Sequence, residues 1–90
     1  MSTIEHNVTG KCFELRLEGY RCVLDYTLNS NTMTITHTGV PSELGGRGLA
    51  AEITKFALDY AQSQGWRVIP QRSYVAAYIK KHPFYAPLMN

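Results

Sequence analysis

The sequence predicts a mixed α/β (α+β) domain: an antiparallel meander, then a helix, a strand parallel to the last strand of the meander, and a closing helix. Three observations predict it. The first forty residues alternate apolar and polar side chains, residues 46–64 repeat apolar side chains at three- and four-residue steps, and a short apolar run separates that helix from a second one. Ninety residues make one domain, 1–90, with a thin core.

In Cys12–Leu17, Phe13, Leu15 and Leu17 share one parity and Glu14 and Arg16 the other. In residues 20–28, Tyr20, Cys22, Leu24, Tyr26 and Leu28 alternate with Arg21, Asp25 and Thr27. Each pattern is that of a strand with one buried face. Glu18-Gly19 is short enough for a tight hairpin, which sets Leu15 opposite Cys22 and Cys12 opposite Asp25. The two cysteines then lie on different faces and are expected to be free thiols. Asn29-Ser30-Asn31 makes a second turn. A third strand follows over residues 32–40, with Met33, Ile35 and, by parity, His37 pointing inward. Residues 2–8 add a short strand through Ile4, His6 and Val8.

The period changes after Pro41. Leu49, Ile53, Phe56, Ala57 and Tyr60 fall on one helical face, and Glu52, Lys55, Asp59 and Gln62 on the other. Gly65 ends this helix. Residues 66–70 form the next strand, and Ser73–Lys81 a second helix closed by Pro83. A helix between two strands is a crossover, so the last strand should run parallel to the one before it.

Composition excludes several functions. A net charge of +2 with scattered Lys and Arg does not make a nucleic-acid surface. No apolar run approaches the roughly 20 residues that cross a bilayer, and residues 1–5 lack the start of a signal peptide. A cytoplasmic protein with no membrane partner is expected. Neither cysteine has metal-ligand company, and no metal is expected.

Gly45-Gly46-Arg47-Gly48-Leu49-Ala50 carries the chemistry. Glycines inside a helix cost about 1 kcal/mol each. Gly46 and Gly48 have no side chain to cap the helix, so first-turn N–H groups are free. With the helix dipole they make an anion site suited to phosphate. The plainer alternative is a tight strand-to-helix turn with no ligand. The segment is neither a P-loop nor Gly-x-Gly-x-x-Gly.

The stretch His37-Thr38-Gly39-Val40-Pro41-Ser42-Glu43-Leu44-Gly45-Gly46-Arg47-Gly48-Leu49-Ala50 resembles the acetyl-CoA-binding motif of the GNAT superfamily of N-acetyltransferases, Arg/Gln-x-x-Gly-x-Gly/Ala. Gly48 and Ala50 match its last two fixed positions, and Gly45 stands where the pattern has Arg or Gln. The later run from Val68 to Pro83 is similar to the small single-domain, YjdJ-like branch, and the likeness covers about residues 33–88. This resemblance implies a GNAT-like acyl-CoA N-acyltransferase fold with acetyl-CoA as cosubstrate. It implies that main-chain groups near Val40 bind the pantetheine arm. Gly46, Arg47, Gly48, Leu49 and Ala50 would cradle the pyrophosphate, Arg47 adding a charge-assisted contact. Ser73 and Tyr78 would line the cleft. Related small members often carry a cysteine where Arg72 stands, so an acetyl-cysteine route at that position is excluded.

Acyl transfer to an amine needs a base, an oxyanion donor and an acid for the leaving thiolate. Tyr78 is the candidate acid; its alternative is a core residue on an amphipathic helix. His37 and Glu43 are candidate bases, His37 also reading as a core histidine. His6 and His82 read as solvated surface groups, and Phe84 and Tyr85 as a pair sealing the core. The expected reaction is acetyl transfer to a primary amine, of a protein lysine or a small molecule, by a monomer or weak dimer with an open acceptor face. A non-catalytic CoA-binding sensor or interaction module is the alternative, and a binder of some other phosphate ligand a third.

Overall fold

The computed structural model describes residues 3–71 and 73–89. Five strands, β1 (Thr3–Asn7), β2 (Cys12–Leu17), β3 (Tyr20–Asn29), β4 (Thr32–Gly39) and β5 (Arg67–Pro70), form one sheet in the order of the chain. The first four are antiparallel, and β5 joins β4 in parallel after the crossover helix α1 (Leu49–Gln64). A second helix, α2 (Ser73–Lys81), and a 3₁₀ segment, Pro83–Met89, close the chain.

The turns form where residues tolerate left-handed backbone. Glu18 and Gly19 (φ 54° and 83°) and Ser30 and Asn31 (φ 50° and 67°) take two consecutive positive φ values each, the twist that suits two-residue hairpins. Leu15 pairs with Cys22 and Cys12 with Asp25 as expected, and both thiols are free and buried. Helix α1 ends at Gly65 (φ 72°), where the Trp66 amide donates to Ala61 O (2.9 Å) and the Gly65 amide to Gln62 O (3.2 Å), so two orphan carbonyls are satisfied.

The core lies between one sheet face and α1. Phe13, Leu15, Cys22, Leu24, Met33, Ile35 and Val68 meet Leu49, Ile53, Ala57, Leu58 and Ala61, all essentially buried. Each fully buried aliphatic side chain contributes about 1.5–3 kcal/mol. Val75 and Ile79 turn α2 inward, and Tyr85 and Leu88 cap the end of the core.

Several expectations are corrected. Helix α1 starts at Leu49, so Gly46 and Gly48 stand outside it; the reason for glycine there is left-handed backbone (φ 81° and 73°), not a tolerated helical cost. His37 does not point into the core. Asp25 pairs with His37 but Tyr26 with Ile35, which makes Thr36 the extra residue of a bulge and turns His37 to the exposed outer face. His6 is half-buried rather than solvated. Its ring stacks on Phe13 (centroids 4.1 Å apart), Nε2 lies 2.6 Å from Tyr26 Oη, and burial lowers its pKa. His82, though exposed, stacks on Tyr78 at 4.1 Å. Of the expected Phe84–Tyr85 seal only Tyr85 is buried; Phe84 is 67% exposed, and Phe56 also lies largely outside, at 41%.

Tyr85 ties the last segment to α1. Its Oη donates to Asp59 Oδ1 (2.6 Å), and Lys55 Nζ donates to Asp59 Oδ2 (2.8 Å). Burial and the Asp59 contact hold the Tyr85 phenol well above its ordinary value, while at Asp59 burial is outweighed by the two donors and the carboxyl is lowered. A raised phenol stabilises the fold fully below the unfolded tyrosine pKa near 10 and loses that contribution as pH rises further. The lowered carboxyl acts in the opposite direction, its contribution fading as pH falls below about 4. Tyr85→Phe is therefore expected to cost about 1 kcal/mol at neutral pH and to flatten the alkaline loss of stability above pH 10, as measured by urea melts across pH. An unchanged alkaline limb would remove Tyr85 from this role.

Candidate functional site

Between β4 and α1 the chain makes a 3₁₀ turn, Ser42–Leu44, and then the glycine-rich loop. Leu44 and Leu49, at either end of that loop, are 1% and 5% exposed, so the loop is pinned to the core at both ends while residues 45–48 face outward. Gly45, at the position where the motif has Arg or Gln, has an ordinary φ of −60°, and its amide donates to Ser42 O (3.0 Å). Gly46 and Gly48 are left-handed, and a Cβ placed on either would meet nothing within 4 Å. Glycine is there for conformation, and the space beside it is open.

Gly48 is the N-cap of α1 and supplies no side-chain cap. The first helical hydrogen bond runs from the Glu52 amide to Gly48 O (3.0 Å). The amides of Leu49, Ala50 and Ala51 come before it and have no acceptor among the described residues. Three donors thus converge with the positive end of a 16-residue helix.

Strand pairing opens a second feature beside this loop. β5 pairs with β4 only from Thr32 to Ile35, the Gln71 amide adding one bond to Ile35 O (3.3 Å), whereas β4 continues to Gly39 against β3 alone. The bulge at Thr36 lies where the two strands part. The β4 flank that continues into Val40, itself half-buried against the core, is therefore free of β5. Thr38 lies on this stretch, paired with Leu24, and its Oγ1 is buried without a partner among the described residues. A buried hydroxyl without a partner is costly, and Thr54 Oγ1 on α1 is also buried without a partner among the described residues. Sequence reading missed Thr38 because only the bulge turns it inward.

The predicted side chains are placed as follows. Tyr78 is half-buried on α2, and with Tyr74, Ala77 and Lys81 it lines a groove of ≈ 170 Å³. The fully buried face of α2 is Val75 and Ile79, and Tyr78 packs, partly buried, against the same core. Burial raises the Tyr78 phenol, with Lys55 opposing in part. Ser73 is the exposed first residue of α2; Arg72, the residue at the cysteine position, lies outside the described residues. Glu43 is exposed in the 3₁₀ turn and His37 on the outer face, its ring beside Gly39. No hydrogen bond joins any two of Tyr78, His37 and Glu43 among the described residues. Arg47 extends from the loop to Glu18 at the tip of the β2–β3 hairpin, with Nη1–Oε2 2.5 Å and Nη2–Oε1 3.2 Å. A larger groove, ≈ 290 Å³, is lined by Ile4 of β1 and Glu52, Lys55, Phe56 and Asp59 of α1, and none of the predicted residues reaches it. Among the described residues no three His, Cys, Asp or Glu side chains converge as metal ligands, and no helix is long and apolar enough to cross a membrane.

Comparison with known proteins agrees with this fold. The NMR solution structure of a GCN5-like protein from Staphylococcus aureus superposes with a TM-score of 0.75, covering 96% of this chain and 85% of that one, at 24% identity. Protein NATD1 of Xenopus tropicalis is 31% identical over 83 residues, 89% of this chain and 76% of the relative. The Homo sapiens protein of the same name is also 31% identical, over 89% and 74%, and that of Danio rerio 28%, over 89% and 76%. The family model described as GCN5-related N-acetyl-transferase matches residues 12–88. By this match over most of its length, and by the 31% identical relatives, the chain belongs to the GCN5-related N-acetyltransferase family.

Proposed function

We propose that the protein binds acetyl-CoA and transfers the acetyl group to a primary amine, of a protein lysine or a small molecule. The observation that carries this reading is the set of unpaired amides at Leu49, Ala50 and Ala51 opening onto the empty space beside Gly46 and Gly48. A diphosphate fits there on charge and on room. The flank of β4 beyond Ile35, unpaired with β5, and the buried Thr38 hydroxyl, without a partner among the described residues, suit an extended arm bearing amide groups. The residues present therefore fit the ligand that the family implies.

Bound acetyl-CoA supplies a thioester, an acetyl group already activated for attack. The chain's own residues do the rest. Amides 49–51 neutralise phosphate charge and fix the ligand's register. A main-chain N–H near Val40 stabilises negative charge on the carbonyl oxygen. Tyr78, a phenol protonated at neutral pH because its ordinary pKa is about 10, gives its proton to the departing sulfur. The acceptor amine, charged at neutral pH with a pKa of about 10.4, loses its proton before attack, and His37 or Glu43, both exposed, takes it through water.

One observation favours a second reading, a CoA-binding module without efficient catalysis: among the described residues no hydrogen bond joins either candidate base to Tyr78. Single-turnover transfer from acetyl-CoA to a panel of amines separates the two. Acetylated product supports the enzyme; tight binding without product supports the module. In the enzyme, Tyr78→Phe is expected to lower turnover about 10- to 100-fold, toward the low end of general-acid effects because a thiolate leaves readily. It should leave CoA affinity within about twofold, since the hydroxyl is not placed in the phosphate site. Unchanged turnover would remove Tyr78 as the acid.

A further inference from the structure

Arg47 is the central side chain of the glycine loop, flanked by left-handed residues on both sides, and its guanidinium is engaged by a carboxylate from a different part of the chain. Glu18 sits at the tip of the β2–β3 hairpin with φ 54°, 29 residues away in sequence, and both its oxygens take N–H groups from Arg47. The two side chains are 43% and 56% exposed, so the pair contributes little to stability. Its consequence is positional. A negative charge is held on the guanidinium of the loop whose amides and helix dipole are read as an anion site.

We propose that Glu18 is a built-in competitor for that anion: it occupies Arg47 in the free protein and must yield the guanidinium when a diphosphate enters the Gly46–Ala50 turn. This rests on the reading of the turn as the CoA site. The exchange is chemically matched. A guanidinium that binds one carboxylate through two parallel N–H donors presents the same fork to a diphosphate, which carries more charge. Before binding, Arg47 is neutralised; the pair must break before the guanidinium can reach the anion. Glu18 thus sets CoA affinity below what the turn with a free Arg47 would give, and Arg47 adds little net affinity while Glu18 is present.

The test is a set of calorimetric titrations with CoA, and with inorganic pyrophosphate, on the parent, Glu18→Gln, Glu18→Asp, Arg47→Ala and the Glu18→Gln/Arg47→Ala pair. Glu18→Gln is expected to bind CoA about 5- to 10-fold more tightly, while Glu18→Asp, which keeps the charge, stays within about twofold of the parent. Arg47→Ala alone should weaken binding no more than about threefold, and the gain from Glu18→Gln should vanish in the double variant, the non-additivity that marks a coupled pair. Parent-like binding by Glu18→Gln overturns the proposal while leaving the CoA site standing. A gain that persists without Arg47 overturns it too, because Glu18 would then act on the turn directly. If parent and variants alike fail to bind CoA, the reading of the turn falls and the proposal with it. The Arg47 Nη–H resonances, whose protons make the two bonds to Glu18 and which are expected to shift in ligand-free Glu18→Gln, report the pair itself independently of CoA; unmoved resonances overturn the proposal.

Discussion

Gly48→Glu is expected to weaken CoA binding by two powers of ten or more while leaving the protein folded. The residue has φ 73° at the N-cap of α1, and a Cβ there meets nothing, so the variant suffers backbone strain without a clash. That strain is about 1–2 kcal/mol. The larger effect is on the ligand. A carboxylate set at the helix entrance competes for the amides of Leu49, Ala50 and Ala51, and each charge-assisted hydrogen bond lost is about 1.5–3 kcal/mol. Two such losses exceed about 3 kcal/mol, which is more than a hundredfold in affinity. Gly48→Ala carries the strain without the charge and should lose far less. Calorimetric CoA titration of both variants measures the difference. Equal loss from Ala and Glu would mean that loop shape, not anion recognition, governs binding.

The second large effect is on stability. Phe13 is completely buried on β2, with His6 stacked on it at 4.1 Å and the rings of Tyr26, Phe56 and Tyr60 at 5.6, 5.8 and 5.9 Å. It joins the edge strand β1 to the sheet and both to α1. Phe13→Ala should cost about 3–5 kcal/mol, out of a total near 5–13 kcal/mol for a chain of this size. At about 4–8 °C per kcal/mol, the melting temperature drops by some 20 °C. The half-buried His6 loses its platform, so its pKa should return toward the ordinary value in whatever folded fraction remains. Thermal melts followed by circular dichroism check the first figure. A drop of only a few degrees would show that the neighbouring rings close over the gap.

Most of the fold was legible because alternation and turn chemistry are local. The parity of Phe13, Leu15, Cys22 and Leu24 determines which way β2 and β3 face, and Glu18-Gly19 and Asn29-Ser30-Asn31 leave little freedom in their pairing. The parallel placing of β5 followed from chain handedness alone. What escaped was set by tertiary context. The bulge that turns His37 out and Thr38 in falls within Thr34-Ile35-Thr36-His37-Thr38, where polar residues occupy both parities and a one-residue slip leaves no trace in the alternation. The burial of His6 depends on Tyr60 and Phe13 closing over it from α1 and β2. The Arg47–Glu18 pair joins a hairpin tip to a distant loop, and nothing in either local stretch announces the other. In the candidate site, the glycine positions of the turn were readable from the motif. The parting of β4 from β5 was not, because strand ends depend on pairing.

The central claim is that unpaired amides at the start of α1 hold the diphosphate of CoA. Amide chemical shifts of the parent protein, followed during CoA titration, test it most directly. The proposed function predicts saturable changes, largest at Val40 and residues 46–50, with inorganic pyrophosphate reproducing those at 46–50 but not the one at Val40. Saturation with residues 46–50 unmoved and the changes confined to other segments, such as the groove around Ile4 and Phe56, would contradict it.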